Sequence, residues 1–220
     1  MNFALTAALV QREVKIRLGQ TGSGKSYGAA QFFQTLPRAL VAECDYNEFP
    51  ATRFDEFPEL VLYLEKIGAF KNPHTPFRVS YTPRIYEYPL IFSTVLELKN
   101  CWVFLEEADR FGDPADTWEY DEIITRGRHN GISICALSLH PFMLPIDLRR
   151  QATSIVSYRQ TEPADIKWIA DHVGDIAYEL PNLAGPPGVP PFPYLEWDGF
   201  QGARIVGGAS PSIATKVDTK

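Results

Sequence analysis

A glycine-rich run, Gly19-Gln20-Thr21-Gly22-Ser23-Gly24-Lys25-Ser26, follows the alternating stretch Val14-Lys15-Ile16-Arg17-Leu18. Glycines at 19, 22 and 24 allow the backbone to turn successive N–H groups inward. A helix beginning near Lys25 adds its free amides and the positive end of its dipole. Such a loop cradles phosphates, so the expected ligand is ATP. Lys25 reaches the β- and γ-phosphates as a catalytic cation, and Ser26 places a hydroxyl on Mg²⁺. Gln20, Thr21 and Ser23 fill the variable positions, and Tyr27 completes the expected nucleotide-binding set. The bland alternative is a glycine-rich turn. Placement between a strand-like and a helix-like run argues against it.

About eighty residues later, Trp102-Val103-Phe104-Leu105 runs into Glu106 and Glu107. An apolar strand ending in two carboxylates beside a phosphate loop points to hydrolysis. The first carboxylate holds Mg²⁺, usually through its water shell, so Glu106 is the expected metal residue together with Ser26. The second orients and partly deprotonates the attacking water, which makes Glu107 the expected base. The competing reading is a solvated acidic turn. Asp109 and Arg110, which follow, either position the site or pair on the surface.

These groups need a scaffold. Strand-like runs at 13–18, 38–44, 77–81, 101–105, 131–138 and 153–158 alternate with helical patterns near 25–35, 56–67, 88–98, 117–128 and 163–173. That alternation predicts an α/β fold, a P-loop NTPase with a mostly parallel sheet and helices on both faces. The near-continuous apolar strands (WVFL, ISICALSL, SIVSY) fit burial on both sides. Ligands in such folds bind at the carboxyl ends of strands, where the glycine loop and the Glu pair fall. The ATPase core is expected over residues 1–180. From Pro181 to Pro193 the proline density excludes helix or central strand and predicts an extended arm, with a short possible strand at 194–197. The last residues read as a flexible tail.

Composition narrows the classes. Hydrophobic residues make up 45% and charged residues 22%, as in soluble globular proteins. No run approaches the roughly 20 apolar residues that span a bilayer, and the N-terminus lacks the basic start of a signal peptide. Cys44, Cys101 and Cys135 show no paired spacing and read as small core residues, and the histidines show no zinc spacing. A net charge of −6 disfavours a broad basic nucleic-acid face, but not a ring with its basic groups in a central channel. Lys66, Lys71, Arg78 and Arg84 are candidates for such a lining, with a solvated face as the alternative.

Thr125–Ile169 is rich in arginine. Arg126 and Arg128 precede one strand, and Arg149 and Arg150 precede the next. Arginine near a phosphate site supplies permanently charged forks for transition-state charge, in a ring even to a neighbour's site. Surface salt bridges are the alternative for any one of them.

The order of motifs here resembles the FtsK–HerA superfamily of DNA-pumping ATPases. The matching residues are Gly127-Arg128-His129-Asn130-Gly131-Ile132, then Ser138-Leu139-His140-Pro141, then Glu162-Pro163-Ala164-Asp165, within residues 10–173. The chain departs from that pattern at the sensor, where Leu139 stands in place of Gln and His140 in place of Arg. It also departs at Glu106, where Asp is usual. The resemblance implies Arg128 as the arginine acting in trans, with Arg149 and Arg150 behind it, and a ring of about six subunits. A bare core of this length is similar to the genome-packaging ATPases of tailless, membrane-containing double-stranded DNA phages such as tectiviruses. That implies a motor acting on double-stranded DNA regardless of sequence, with capsid vertex or portal partners. It would work at the virion's packaging vertex and in the host cytoplasm during assembly. The Pro-rich arm would then dock on a neighbour or on the vertex. Competing readings are a slow, DNA-independent assembly ATPase, a single-stranded DNA exporter of filamentous phage type, and a small-molecule kinase.

Overall fold

A computed structural model describes residues 12–42, 48–108, 118–183 and 190–207. One nine-stranded sheet has the order β3-β4-β2-β5-β6-β1-β7-β8-β9. Its strands are β1 (Val14–Leu18), β2 (Arg38–Ala42), β3 (Thr52–Phe54), β4 (Phe77–Tyr81), β5 (Trp102–Leu105), β6 (Ser133–Ser138), β7 (Ser154–Ser157), β8 (Tyr194–Asp198) and β9 (Gly202–Val206). Strands β1 to β7 pair in parallel, and β8 and β9 add antiparallel at one end. The helices are α1 (Lys25–Thr35), α2 (Phe57–Lys66), α3 (Tyr88–Leu98), α4 (Trp118–Arg126), α5 (Ile146–Arg150) and α6 (Pro163–Val173). No helix among the described residues is long and apolar enough to cross a membrane.

Side chains alternate across the sheet, and each face is filled separately. On one face Ala29, Ala30 and Phe33 of α1 pack against Ala39, Val41, Phe104, Cys135 and Leu137. On the other, Leu40, Ala42, Val103, Leu105, Ile134 and Ala136 meet the apolar sides of α3 and α4. β1 differs from its neighbours. Its Val14, Ile16 and Leu18 enter the second core, while Lys15 and Arg17 face α1 and lie over the Phe32 ring at 5.4 and 5.6 Å. This accounts for the alternation of VKIRL beside strands such as β5, whose WVFL is apolar throughout.

Several boundaries differ from the sequence reading. The strand expected at 131–138 starts at Ser133, because Gly127–Asn130 forms a 3-10 turn closed by left-handed Gly131 at φ 66°. Pro181 does not begin an extended arm. It lies near the end of a 3-10 stretch, Asp175–Asn182. β3, α5 and β9 have no counterpart in the sequence reading. The strand expected at Tyr194–Trp197 is present and continues through β9, so residues 194–206 extend the same sheet. Cys101 and Cys135 are free and buried, and burial pushes the Cys101 thiol up to about 12. Cys44, Asp109, Arg110 and the terminal segments lie outside the described residues.

Candidate functional site

β1 hands directly into the glycine loop and then α1. Gly24 is the helix N-cap with φ 96°, a backbone that favours glycine, and no side-chain hydrogen bond caps the helix. No acidic residue occupies the first turn of α1. The first-turn amides therefore meet no carboxylate from the helix itself. The loop is tied by Ser23 N–H donating to Gln20 O at 3.1 Å and by Gln20 N–H donating to Arg159 O beyond β7. The Gln20 amide also donates to Thr161 Oγ1. A side chain at Gly19 would run into Ser23 Oγ, a buried hydroxyl with no partner among the described residues.

The acidic strand end comes to the same place. β5 and β1 are separated by β6, so two strand spacings, about 10 Å, lie between their ends. Glu106 spans that gap, and Ser26 Oγ donates to its Oε1 at 3.3 Å. Glu106 is 4% exposed, and its own N–H donates to Ala42 O. At the end of β6, between β5 and β1, the Ser138 hydroxyl donates to His140 O at 2.9 Å. A serine hydroxyl and a carboxylate oxygen side by side are hard donors of the kind Mg²⁺ takes, with water and phosphate completing its shell. The residues fit that ion. Glu107 follows with φ 49°, a left-handed conformation uncommon for glutamate.

Two residues beyond β6, His140 Nδ1 lies 2.6 Å from Asp165 Oδ2. Asp165 sits in the first turn of α6 with its side chain 3% exposed, while the imidazole is 43% exposed. The buried carboxylate fixes the ring and leaves Nε2 on the open side. Gln160 Nε2 donates to Leu139 O at 3.0 Å, so Leu139 takes part here through its backbone.

No family model matches the chain, and no curated protein sequence does. Solved structures do. The genome packaging NTPase B204 from Sulfolobus turreted icosahedral virus 2, solved with ATP-gammaS, aligns with a TM-score of 0.67 and 16% identity over 89% of this chain and 96% of that one. The pCW3 conjugation coupling protein TcpA gives 0.54 and 14% identity over 89% of this chain and 60% of its own. The cytoplasmic domain of the Type VII secretion ATPase EccC from Thermomonospora curvata gives 0.51 and 15%, covering 90% and 26%. The fold is that of a P-loop NTPase. At 14–16% identity these likenesses are likenesses of fold.

Within this P-loop NTPase the arginines lie elsewhere. Gly127–Asn130 precedes β6, and β6 runs parallel to β1, so Arg128 belongs to the amino edge of the sheet. A strand length, roughly 15 Å, separates that edge from the phosphate loop. Arg128 is exposed, and its charge together with burial lowers the pKa of Arg12 to about 10, burial being the larger cause. Arg12 donates to Gln151 Oε1 at 2.8 Å and to Ile123 O at 3.0 Å, pinning α4 and the end of α5 at this edge. Arg149 Nε donates to Leu144 O at 3.0 Å, which gives it a local structural role. Arg150 is exposed and lies 3.8 Å from Asp147. Within one chain, then, the glycine loop, Glu106 and Glu107 come together, and Arg128, Arg149 and Arg150 do not join them. Lys66, Lys71, Arg78 and Arg84 are all exposed. Arg78 donates to Gln34 O and Arg84 to the Tyr86 hydroxyl. Arg17, Tyr158 and Phe192 were not singled out in the sequence as site residues. The alternation of VKIRL was the available signal for Arg17.

Proposed function

We propose that this chain is an ATP-hydrolysing motor subunit that moves double-stranded DNA into a viral capsid. The observation that carries hydrolysis is the Ser26–Glu106 hydrogen bond at 3.3 Å, which joins two motifs far apart in sequence at one edge of the sheet. The whole-chain likeness to a packaging NTPase favours the packaging role among P-loop activities. Gly19 to Gly24 bind the triphosphate through backbone amides, with Gln20, Thr21 and Ser23 shaping the loop. Lys25 neutralises the β- and γ-phosphates, and Tyr27 borders the nucleotide.

Ser26 and Glu106 would hold Mg²⁺, which supplies charge neutralisation on the phosphate oxygens when bound. Glu107 accepts a hydrogen bond from the attacking water and draws its proton. His140, held by Asp165, donates toward the γ-phosphate in the place where the related motif carries a polar sensor. Because Arg128 lies across the sheet from its own loop, it serves the site of the next subunit in a ring, with Arg149 and Arg150 at the same contact. Contact with the DNA backbone carries no sequence information, so movement is sequence-independent.

The test is steady-state ATP hydrolysis with and without double-stranded DNA, with Glu107→Gln as control. DNA stimulation that vanishes in the variant is the expected outcome. Slow turnover indifferent to DNA would move the reading to a nucleotide-dependent assembly protein, which the net charge of −6 favours.

A further inference from the structure

A second concave site opens beside the phosphate loop. It encloses about 500 Å³, within the roughly 300–1,000 Å³ range of small-molecule sites. Its floor is Arg17 of β1 with Val156 and Tyr158 around β7, one wall is Tyr27 and Gly28 of α1, and the roof is the 190–192 segment. None of these belongs to the glycine run itself, yet Tyr27 and Gly28 directly follow Ser26.

The roof is seated on the loop. A side chain at Gly24 would run into the Phe192 ring, so that ring covers the glycine where the loop enters α1. Tyr27 and Phe192 meet edge to face, with centroids 5.6 Å apart. Gly28 leaves room for the Tyr158 hydroxyl, which a methyl group there would strike. That hydroxyl receives a hydrogen bond from Arg17 Nη1 at 3.2 Å. Arg17 is 7% exposed, and its Nε has no hydrogen-bond partner among the described residues. A buried guanidinium with donor capacity left over, at the floor of an aromatic-walled cavity, suits a flat ligand that carries acceptors. Glu196 also lines the cavity and adds an acceptor, its carboxylate held by Arg204 at 2.8 Å.

We propose that this cavity holds the nucleobase and ribose of the bound nucleoside triphosphate, with Phe192 and Tyr27 as the aromatic surface against the base. This rests on the reading of the glycine loop as a triphosphate site. A triphosphate seated on the first turn of α1 leaves its sugar next to Tyr27 and Gly28, where the cavity begins. Pro190, Pro191 and Phe192, in the segment the sequence suggests as a docking arm for a neighbour or a capsid vertex, line this cavity of their own chain. The base gains stacking on an aromatic face, Arg17 donates to its acceptors, and Glu196 accepts from its amino or imino groups.

Calorimetric titration of the full chain with the non-hydrolysable analogue AMPPNP and with inorganic tripolyphosphate tests this, for the native protein, Phe192→Ala and Tyr27→Ala. Circular dichroism and thermal melting establish that both variants are folded. The native chain should bind AMPPNP more tightly than tripolyphosphate. Phe192→Ala should weaken AMPPNP about tenfold, Tyr27→Ala less, and neither should change tripolyphosphate by more than about twofold. Equal losses for both ligands would overturn the inference, since Phe192 would then act on the loop alone. Unchanged AMPPNP binding in Phe192→Ala would overturn it too, as would a native chain that binds both ligands equally. A native chain that binds neither would overturn the triphosphate reading and this inference with it.

Discussion

At the carboxyl edge of β1, β5 and β6 the polar groups are turned onto one another. Ser26 donates to a buried Glu106, His140 lies on a buried Asp165, and an uncapped helix start faces the same space. At the amino edge, Arg12 is spent on backbone and amide contacts, while Arg128 and Arg150 are exposed. Both edges also hold non-glycine residues in left-handed backbone, Glu107 at one and Lys99 and Asn100 at the other. At the amino edge that conformation closes the turn from α3 into β5, where Asn100 N–H donates to Asn130 O at 2.8 Å. At the carboxyl edge it falls at Glu107, directly after the buried Glu106. One edge gathers the groups proposed to bind a triphosphate, and the other carries cations about a strand length away from them.

The largest expected effect breaks the carboxyl edge. Lys25→Ala should abolish both nucleotide binding and hydrolysis, measured by titration and phosphate release. Glu107→Gln should retain binding and lose hydrolysis by about 100-fold or more. The comparison between edges is sharpened next by mixing. Arg128→Ala alone should lower hydrolysis by about 1,000-fold if the arginine acts across subunits. Mixing it with Glu107→Gln should restore part of the rate, because some contacts then combine an intact Arg128 with an intact Glu107. No recovery on mixing would confine both defects to one chain.

A smaller effect is expected at the His140–Asp165 pair. Asp165→Asn should lower kcat about tenfold with little change in nucleotide affinity, because the ring keeps its place but loses its charged partner. The smallest concerns strain. Left-handed backbone costs a residue with a Cβ roughly 1–2 kcal/mol, and glycine returns about 0.5–1 kcal/mol of that through the unfolded chain. Glu107→Gly and Lys99→Gly should therefore each raise Tm by about 2–4 °C or less. Only the former should abolish hydrolysis.

Much of the carboxyl edge was legible because its chemistry is local. Gly19 to Ser26 announce their conformation through residues that few other contexts would place together, and Trp102 to Glu107 announce a buried strand that ends in charge. The alternation of Lys15 and Arg17 within VKIRL was also visible, but its meaning depended on Phe32 and Tyr158, which reach β1 only through packing. The place of Phe192 was hidden for the same reason. Proline limits what backbone a segment adopts and says nothing about where it lies, so the contact of Phe192 with Gly24 could not be inferred from composition.

By itself the sequence determined the alternating α/β order, the phosphate loop, the pair of glutamates and the burial of the central strands, since each follows from residue types within one turn or strand. Tertiary structure alone decided that β6 separates the two motifs and that Glu106 reaches across it. It also decided that His140 meets Asp165 and that Arg128 falls at the far edge. These are long-range pairings, set by strand order and by parallel connections that return the chain to the same edge each time. No local propensity encodes them.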